Sequence, residues 1–195
     1  MQEGSLDKKT ASQLNTLYMA SGGEIGQAYS ELAEGYDSFA QSISYLSPKK
    51  CLELIIKACP CEPEHARVLD LGCGTGEMGK LLKESGFEKM VGLDPSEGML
   101  KKAEEKKIYD QLHQGFLGNG SYPEELKDSF EVVVLAGVLN VNHAPPEALD
   151  EAVSSMKGNG IIVFSLPDAV GEEKGYLAKL KELQSLIKFK DSVSF

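Results

Sequence analysis

Between Ile25 and Ile43, apolar and aromatic residues recur in steps of three and four, at Ile25, Tyr29, Leu32, Ala33, Tyr36, Phe39, Ala40 and Ile43. This period places them on one face of a helix, which Gly35 interrupts. Ser47-Pro48 opens a second helix, with Ser47 as its cap and Pro48 in its first turn. Its stripe is Cys51, Leu52, Leu54, Ile55 and Ala58, and Pro60 stops it. Residues 1–23 mix Ser, Thr, Gly and Lys with few large apolar groups and end in Gly22-Gly23. They are expected to form a loosely ordered or partly helical leader.

Beyond Pro63 the pattern changes, and short apolar runs alternate with helical ones. Strands are predicted at Arg67–Leu71, Met90–Leu93, Leu112–Phe116, Phe130–Ala136 and Gly160–Leu166. Helices are predicted at Met78–Lys83, Ser96–Lys107, Glu147–Met156 and Lys174–Phe189. Strands separated by helices of 10–15 residues imply βαβ units. The expected fold is therefore α/β and Rossmann-like, a doubly wound, mostly parallel sheet with helices on both faces. The domain spans 24–195, with N-terminal helices over 24–62 and the core over 66–195.

At 195 residues the chain is long enough to bury a core, and 42% of it is hydrophobic. Its longest apolar runs are too short to cross a bilayer, and its polar start does not resemble a signal peptide, so a cytoplasmic address is the default expectation. The net charge of −10 comes with no basic stripe clear of acids. In Lys101–Lys107 acids and bases interleave at helical spacing, as on a solvated helix face. No nucleic-acid partner and no membrane partner is expected. Cys51, Cys59, Cys61 and Cys73 read as reduced thiols: Cys59-Pro60-Cys61 lacks a second pair, and His65 does not complete a metal site.

The candidate chemistry begins at Val68-Leu69-Asp70-Leu71-Gly72-Cys73-Gly74-Thr75-Gly76, where a strand gives way to a helix. Glycines there permit tight or left-handed turns and let a ligand approach closely. Twenty-four residues after Asp70, at the end of the next strand, stands Asp94, a carboxylate placed to accept both hydroxyls of a ribose. The same stretch also satisfies a dinucleotide fingerprint, since Gly74, Gly76 and Gly79 are spaced G-x-G-x-x-G and Asp94 follows 20 residues after Gly74. The preceding acid argues against that cofactor. A pyrophosphate gains nothing from a carboxylate such as Asp70, whereas S-adenosylmethionine carries an ammonium and a sulfonium that do.

The run Val68–Gly76 resembles the first motif of class I S-adenosylmethionine-dependent methyltransferases, and the resemblance extends over roughly Tyr29–Leu166. Within that class, Tyr29–Asp37, Gly92–Leu100 and Val134–Leu139 are similar to the Williams–Beuren region methyltransferase-like family. The resemblance implies that Gly72, Cys73, Gly74 and Gly76 hold the methionine part of the cofactor and that Asp94 takes the ribose. It also implies that Pro95 and Met99 lie beside the adenine, that Ala136 borders the site, and that Tyr29 and Tyr36 come from a helix that lids it.

Several of these positions have a second explanation. Asp94-Pro95-Ser96-Glu97 also reads as a helix start, with Asp94 as cap and Glu97 at the capping-box position. Tyr29 and Tyr36 lie on an apolar helix face and suit plain core packing. Many relatives have an acid after the third strand that meets the adenine amine; here the stretch is His113-Gln114-Gly115-Phe116-Leu117, and Phe116 either packs on adenine or joins the core. His143, after the fourth strand, either faces a methyl acceptor or belongs to a surface loop. The class usually closes its sheet with a C-terminal antiparallel hairpin, and no pattern for one follows the fifth strand. A truncated or alternatively spliced form, with the fifth strand as an exposed edge, is the expectation. The function expected is methyl transfer by in-line displacement to a small-molecule or protein acceptor. The competing readings are a catalytically silent cofactor-binding module and, behind it, an NAD-dependent oxidoreductase.

Overall fold

The computed structural model describes residues 12, 15–17, 19–140, 142–173 and 175–187. Most of 1–23 and the end of the helix expected at Lys174–Phe189 lie outside these residues.

The N-terminal segment forms α1 (Glu24–Leu32), a single 3₁₀ turn at Ala33–Gly35, α2 (Tyr36–Ser42) and α3 (Ser47–Ala58). The break expected at Gly35 is therefore a tightened turn between two helices. Ser47 is not the cap of α3 but its first helical residue. Leu46 holds the cap position, its carbonyl already accepting from Lys50 N–H at 3.1 Å, and no side chain caps this end.

The core alternates β1 (Arg67–Leu71), α4 (Glu77–Glu84), β2 (Lys89–Asp94), α5 (Glu97–Glu105), β3 (Gln111–Gln114), β4 (Phe130–Leu135), α6 (Ala148–Ser155) and β5 (Met156–Phe164). α7 (Asp168–Glu173) and α8 (Tyr176–Leu183) follow. The last helix predicted from sequence corresponds to α8, and α7 precedes it as a separate helix with no counterpart in the predicted pattern. The break between them falls at Gly175, whose φ of +81° does not continue a right-handed helix.

Among the described residues the four strand pairings are parallel, in the order β3-β2-β1-β4-β5. A sheet covered on both faces needs strands apolar on both sides. Accordingly Leu69, Leu71, Val133 and Leu135 pack with Leu149, Ala152 and Tyr176 on one face. Val68, Met90, Val132 and Val134 pack with Cys51, Ile55, Met78 and Leu82 on the other. A third cluster lies apart from these, in which Ile25, Ala28 and Phe39 of α1 and α2 pack with Leu17 and Ala20.

β5 starts four residues earlier than its apolar pattern suggests. Met156 pairs with Phe130, the chain bulges through Gly158–Gly160, and pairing resumes at Ile161 with Val132. Among the described residues β5 pairs on one side only, as the expected edge strand. No helix among them is long and apolar enough to cross a membrane. Strand order reverses between β1 and β4, and in such sheets ligands bind at that point, beyond the carboxyl ends of the strands.

Candidate functional site

Three segments meet at that edge: the glycine loop after β1, the end of β2, and the loop after β4. Gly72, Gly74 and Gly76 have φ of +74°, +54° and +89°, and Gly76 caps α4, so a side chain at any of the three would strain the turn. Gly74 N–H donates to Oδ2 of Asp94 at 2.9 Å, and Ser96 N–H donates to its Oδ1 at 2.9 Å. Each of these oxygens keeps a second lone pair for another donor. Asp94 is 7% exposed. Burial pushes its pKa up to about 6, against the pull of the two amides.

Asp94 does not cap the helix that follows. It ends β2, extended and paired with Gln114, so the cap passes to Ser96, whose Oγ accepts from Met99 N–H at 3.1 Å. Such a cap contributes about 1 kcal/mol, and it leaves the Asp94 carboxylate turned back towards the glycine loop. Met99 is buried at the start of α5, and the Pro95 carbonyl accepts from Gln114 Nε2 at 3.3 Å.

A second carboxyl lies beneath the loop. Asp70 is 1% exposed and accepts a hydrogen bond from the Tyr109 hydroxyl at 2.6 Å. Burial pushes its pKa up to about 7; the Tyr109 bond opposes that rise and Asp94 adds to it. The Cys73 side chain turns inward against Gly92, and burial, then Asp94 and Asp70, hold its thiol well above the usual range. A neutral, enclosed thiol is a poor nucleophile, so what Cys73 offers the loop is backbone.

The helices α1 and α2 cross this edge. Gly26 lies so close to the Pro95 carbonyl that a β-carbon would approach it to 2.9 Å. Ser30 Oγ is 2.8 Å from Ser96 Oγ and accepts from Gly98 N–H at 3.1 Å. Thr75 Oγ1 donates to Asp37 Oδ1 at 2.5 Å, and Lys106 Nζ donates to Oδ2 at 2.8 Å. Burial works against the Asp37 carboxylate, but those two donors outweigh it and hold its pKa below the usual value. Tyr45 donates to the Ala136 carbonyl at 2.9 Å. Phe116 packs against the cluster formed by α1 and α2, near Gly26.

Tyr29 and Tyr36 face one another with ring centroids 5.8 Å apart. Tyr29 Oη is 2.7 Å from Nε2 of His143, which joins two elements that the sequence pattern leaves separate. Burial first, then Tyr36, Tyr45 and Asp94, keep the Tyr29 phenol protonated. A cavity of about 1410 Å³ opens beside this pair, lined there by Tyr36, Gly137 and His143 and farther on by Ile161, Leu166 and Leu180. It exceeds what a small ligand needs, and neither Gly74 nor Asp94 lines it.

The residues named from sequence thus gather around one strand edge. Tyr109, Tyr45, Asp37, Ser30, Thr75 and Lys106 were not among them. Thr75 lay inside the glycine motif and Ser30 and Asp37 inside the segment Tyr29–Asp37, whereas Tyr45, Lys106 and Tyr109 carry no local signal.

The profile of a family described as "Methyltransferase domain" matches residues 39–189. Human methyltransferase-like protein 27 is 31% identical over 123 residues, covering 63% of this chain and 50% of that protein. Malonyl-[acyl-carrier protein] O-methyltransferase of Pectobacterium atrosepticum is 29% identical over 144 residues, covering 72% and 52%. The chain therefore spans about half the length of these relatives. Among solved structures, a TehB-like S-adenosylmethionine-dependent methyltransferase from Corynebacterium glutamicum superposes with a TM-score of 0.54. It is 20% identical and covers 75% of this chain and 81% of that one, which makes it a neighbour in fold.

Proposed function

Since this chain belongs to the methyltransferase domain family, we propose that it binds S-adenosylmethionine at the glycine loop and passes the methyl group to a small-molecule or protein acceptor. The observation that carries this reading is the pair of buried carboxyls at the loop, Asp70 beneath it and Asp94 bonded to Gly74 N–H. Asp94 suits a ribose in either cofactor, and Asp70 is the member of the pair that disfavours an anionic pyrophosphate beside the loop. A nucleoside bearing cationic groups suits the pair.

The open space on the Cβ side of Gly74 fits a ligand lying against the backbone. In this reading Gly72, Cys73, Gly74 and Gly76 hold the amino-acid end, and Asp94 takes the ribose hydroxyls. Pro95, Met99 and Ala136 border the site, and Tyr29, Tyr36 and Phe116 close it from the lid. The donor supplies a methyl group already activated on a sulfonium, so alignment and a dry pocket are what the protein must provide. The lid aromatics exclude water, and the bonds to Asp94 fix its carboxylate before any ligand arrives.

An acceptor that loses a proton needs a base. The Tyr29–His143 hydrogen bond offers one on the wall of the cavity. A proton given to the phenol oxygen releases the phenol's own hydrogen to Nε2, so the imidazole ends protonated. Unchanged turnover by His143→Ala over pH 6–9 would remove this role.

Calorimetric titration with S-adenosylmethionine and S-adenosylhomocysteine tests the reading. Micromolar binding that collapses in Asp94→Ala is the expected result. A folded protein that binds neither ligand overturns it.

A further inference from the structure

Gly79 is the third glycine of the apparent dinucleotide fingerprint, yet it lies inside α4 with ordinary helical backbone. A glycine there costs about 1 kcal/mol relative to alanine, so some contact must account for it. The contact is Tyr109, on the turn between α5 and β3. A β-carbon at Gly79 would come within 2.6 Å of Tyr109 Cζ and closer still to its hydroxyl oxygen. At Gly76 a β-carbon would come within 3.2 Å of Cε2 of the same ring. The two glycines form a seat for the ring, and the hydroxyl then reaches Asp70 Oδ2 at 2.6 Å. Burial, and next the Asp70 charge, keep this phenol protonated, so it acts as the donor.

We propose that Tyr109 is a positioning residue for the methyl donor: seated on Gly76 and Gly79, it donates its hydrogen to Asp70 and fixes that carboxyl towards the cationic amino-acid end of S-adenosylmethionine. The proposal rests on the reading that the loop binds this cofactor. A carboxylate held by a hydrogen bond from outside its ligand keeps one orientation and stays ionised more readily. The titratable groups that bear on Asp70 are Tyr109 from the turn, Asp94 from β2, Tyr45 beyond α2, Cys51 from α3 and Cys73 from the loop. Tyr109 is the hydrogen-bond donor in this group that lowers the pKa of Asp70.

The test compares S-adenosylhomocysteine with 5′-methylthioadenosine, which keeps the adenosine and the thioether but lacks the amino-acid end. Calorimetry on the full chain is run from pH 6 to 9. Tyr109→Phe is expected to weaken S-adenosylhomocysteine about tenfold or more, as for loss of a hydrogen bond to a charged group, and to change 5′-methylthioadenosine about twofold or less. In the wild type, affinity for S-adenosylhomocysteine falls as pH drops through the Asp70 titration; in Tyr109→Phe this fall begins at higher pH. In an Asp70→Asn background the tyrosine substitution has little further effect, because the charge it positions is gone.

Equal loss of both ligands with an unmoved pH profile would mean a structural role only and overturn the proposal, as would no loss at all. If Tyr109→Phe does not fold, the wild type decides. A pH response of S-adenosylhomocysteine beyond that of 5′-methylthioadenosine supports the proposal, and identical responses overturn it. Binding of neither ligand by the folded wild type removes the cofactor reading itself, and this proposal with it.

Discussion

Asp70 shows what a single buried acid costs and provides. Its pKa in the folded chain, about 7, lies above its value in an unfolded one. The folded state therefore holds the proton more tightly, and the stability this group contributes is complete below about pH 4 and lost as pH rises through about 7. Asp70→Asn keeps an oxygen for the Tyr109 hydroxyl and removes the buried charge. The variant is expected to melt higher than the wild type at pH 8, by the equivalent of about 2–4 kcal/mol, since each tenfold difference in proton affinity is worth about 1.36 kcal/mol. At pH 4 the two should melt alike, and the variant should bind S-adenosylmethionine more weakly than the wild type does. Melting curves at the two pH values check this; equal melting at pH 8 would mean that Asp70 carries no charge there. The acids and glycines at the loop were readable from sequence because their spacing along one turn encodes them. Tyr109 was not, because its partner lies 39 positions away and an isolated tyrosine has no motif.

At the scale of elements, the helices proposed as the lid are joined to the core by a few polar contacts. Asp37 bonds Thr75 and Lys106, and Glu34 pairs with Lys102 at 2.9 Å. Exposed ion pairs contribute little, so the Glu34 pair adds little, while the shorter bond to the buried Thr75 matters more. Asp37→Ala should release S-adenosylhomocysteine roughly three- to tenfold faster, since changes at a binding surface act mainly on dissociation. Stopped-flow displacement measures this, and an unchanged rate would show that the latch does not govern release. The periodic elements were legible: the apolar stripe at 25–43 marked α1 and α2, and the alternating core marked five strands. The ends were less so. Ser47 has the right chemistry for a cap, but the backbone turns helical one residue before it, at Leu46. The start of β5 was hidden because Met156–Gly160 lacks the apolar run that marks a strand, and pairing with β4 extends the sheet there.

For the whole molecule, a ligand that binds only the folded state raises its stability by mass action. At one hundred times its dissociation constant this amounts to about 2.7 kcal/mol. For a chain of 195 residues that corresponds to a rise of roughly 5–10 °C in melting temperature. S-adenosylhomocysteine is expected to produce this rise and NADH none, and a rise with NADH alone would restore the dinucleotide reading of the glycine loop.

The sequence by itself determined the order of strands and helices along the chain, the parallel doubly wound sheet, the family, and the glycine turn proposed to hold the cofactor. These are set by periodicity and by glycine and acid spacing, which act over a few residues. Only the tertiary structure decided that Tyr29 meets His143 across 114 positions, that Asp37 latches Thr75, and that Tyr109 fills the seat at Gly76 and Gly79. Each of those contacts joins elements brought together by the sheet's crossovers, and a single side chain carries no sign of the partner that packing will bring to it.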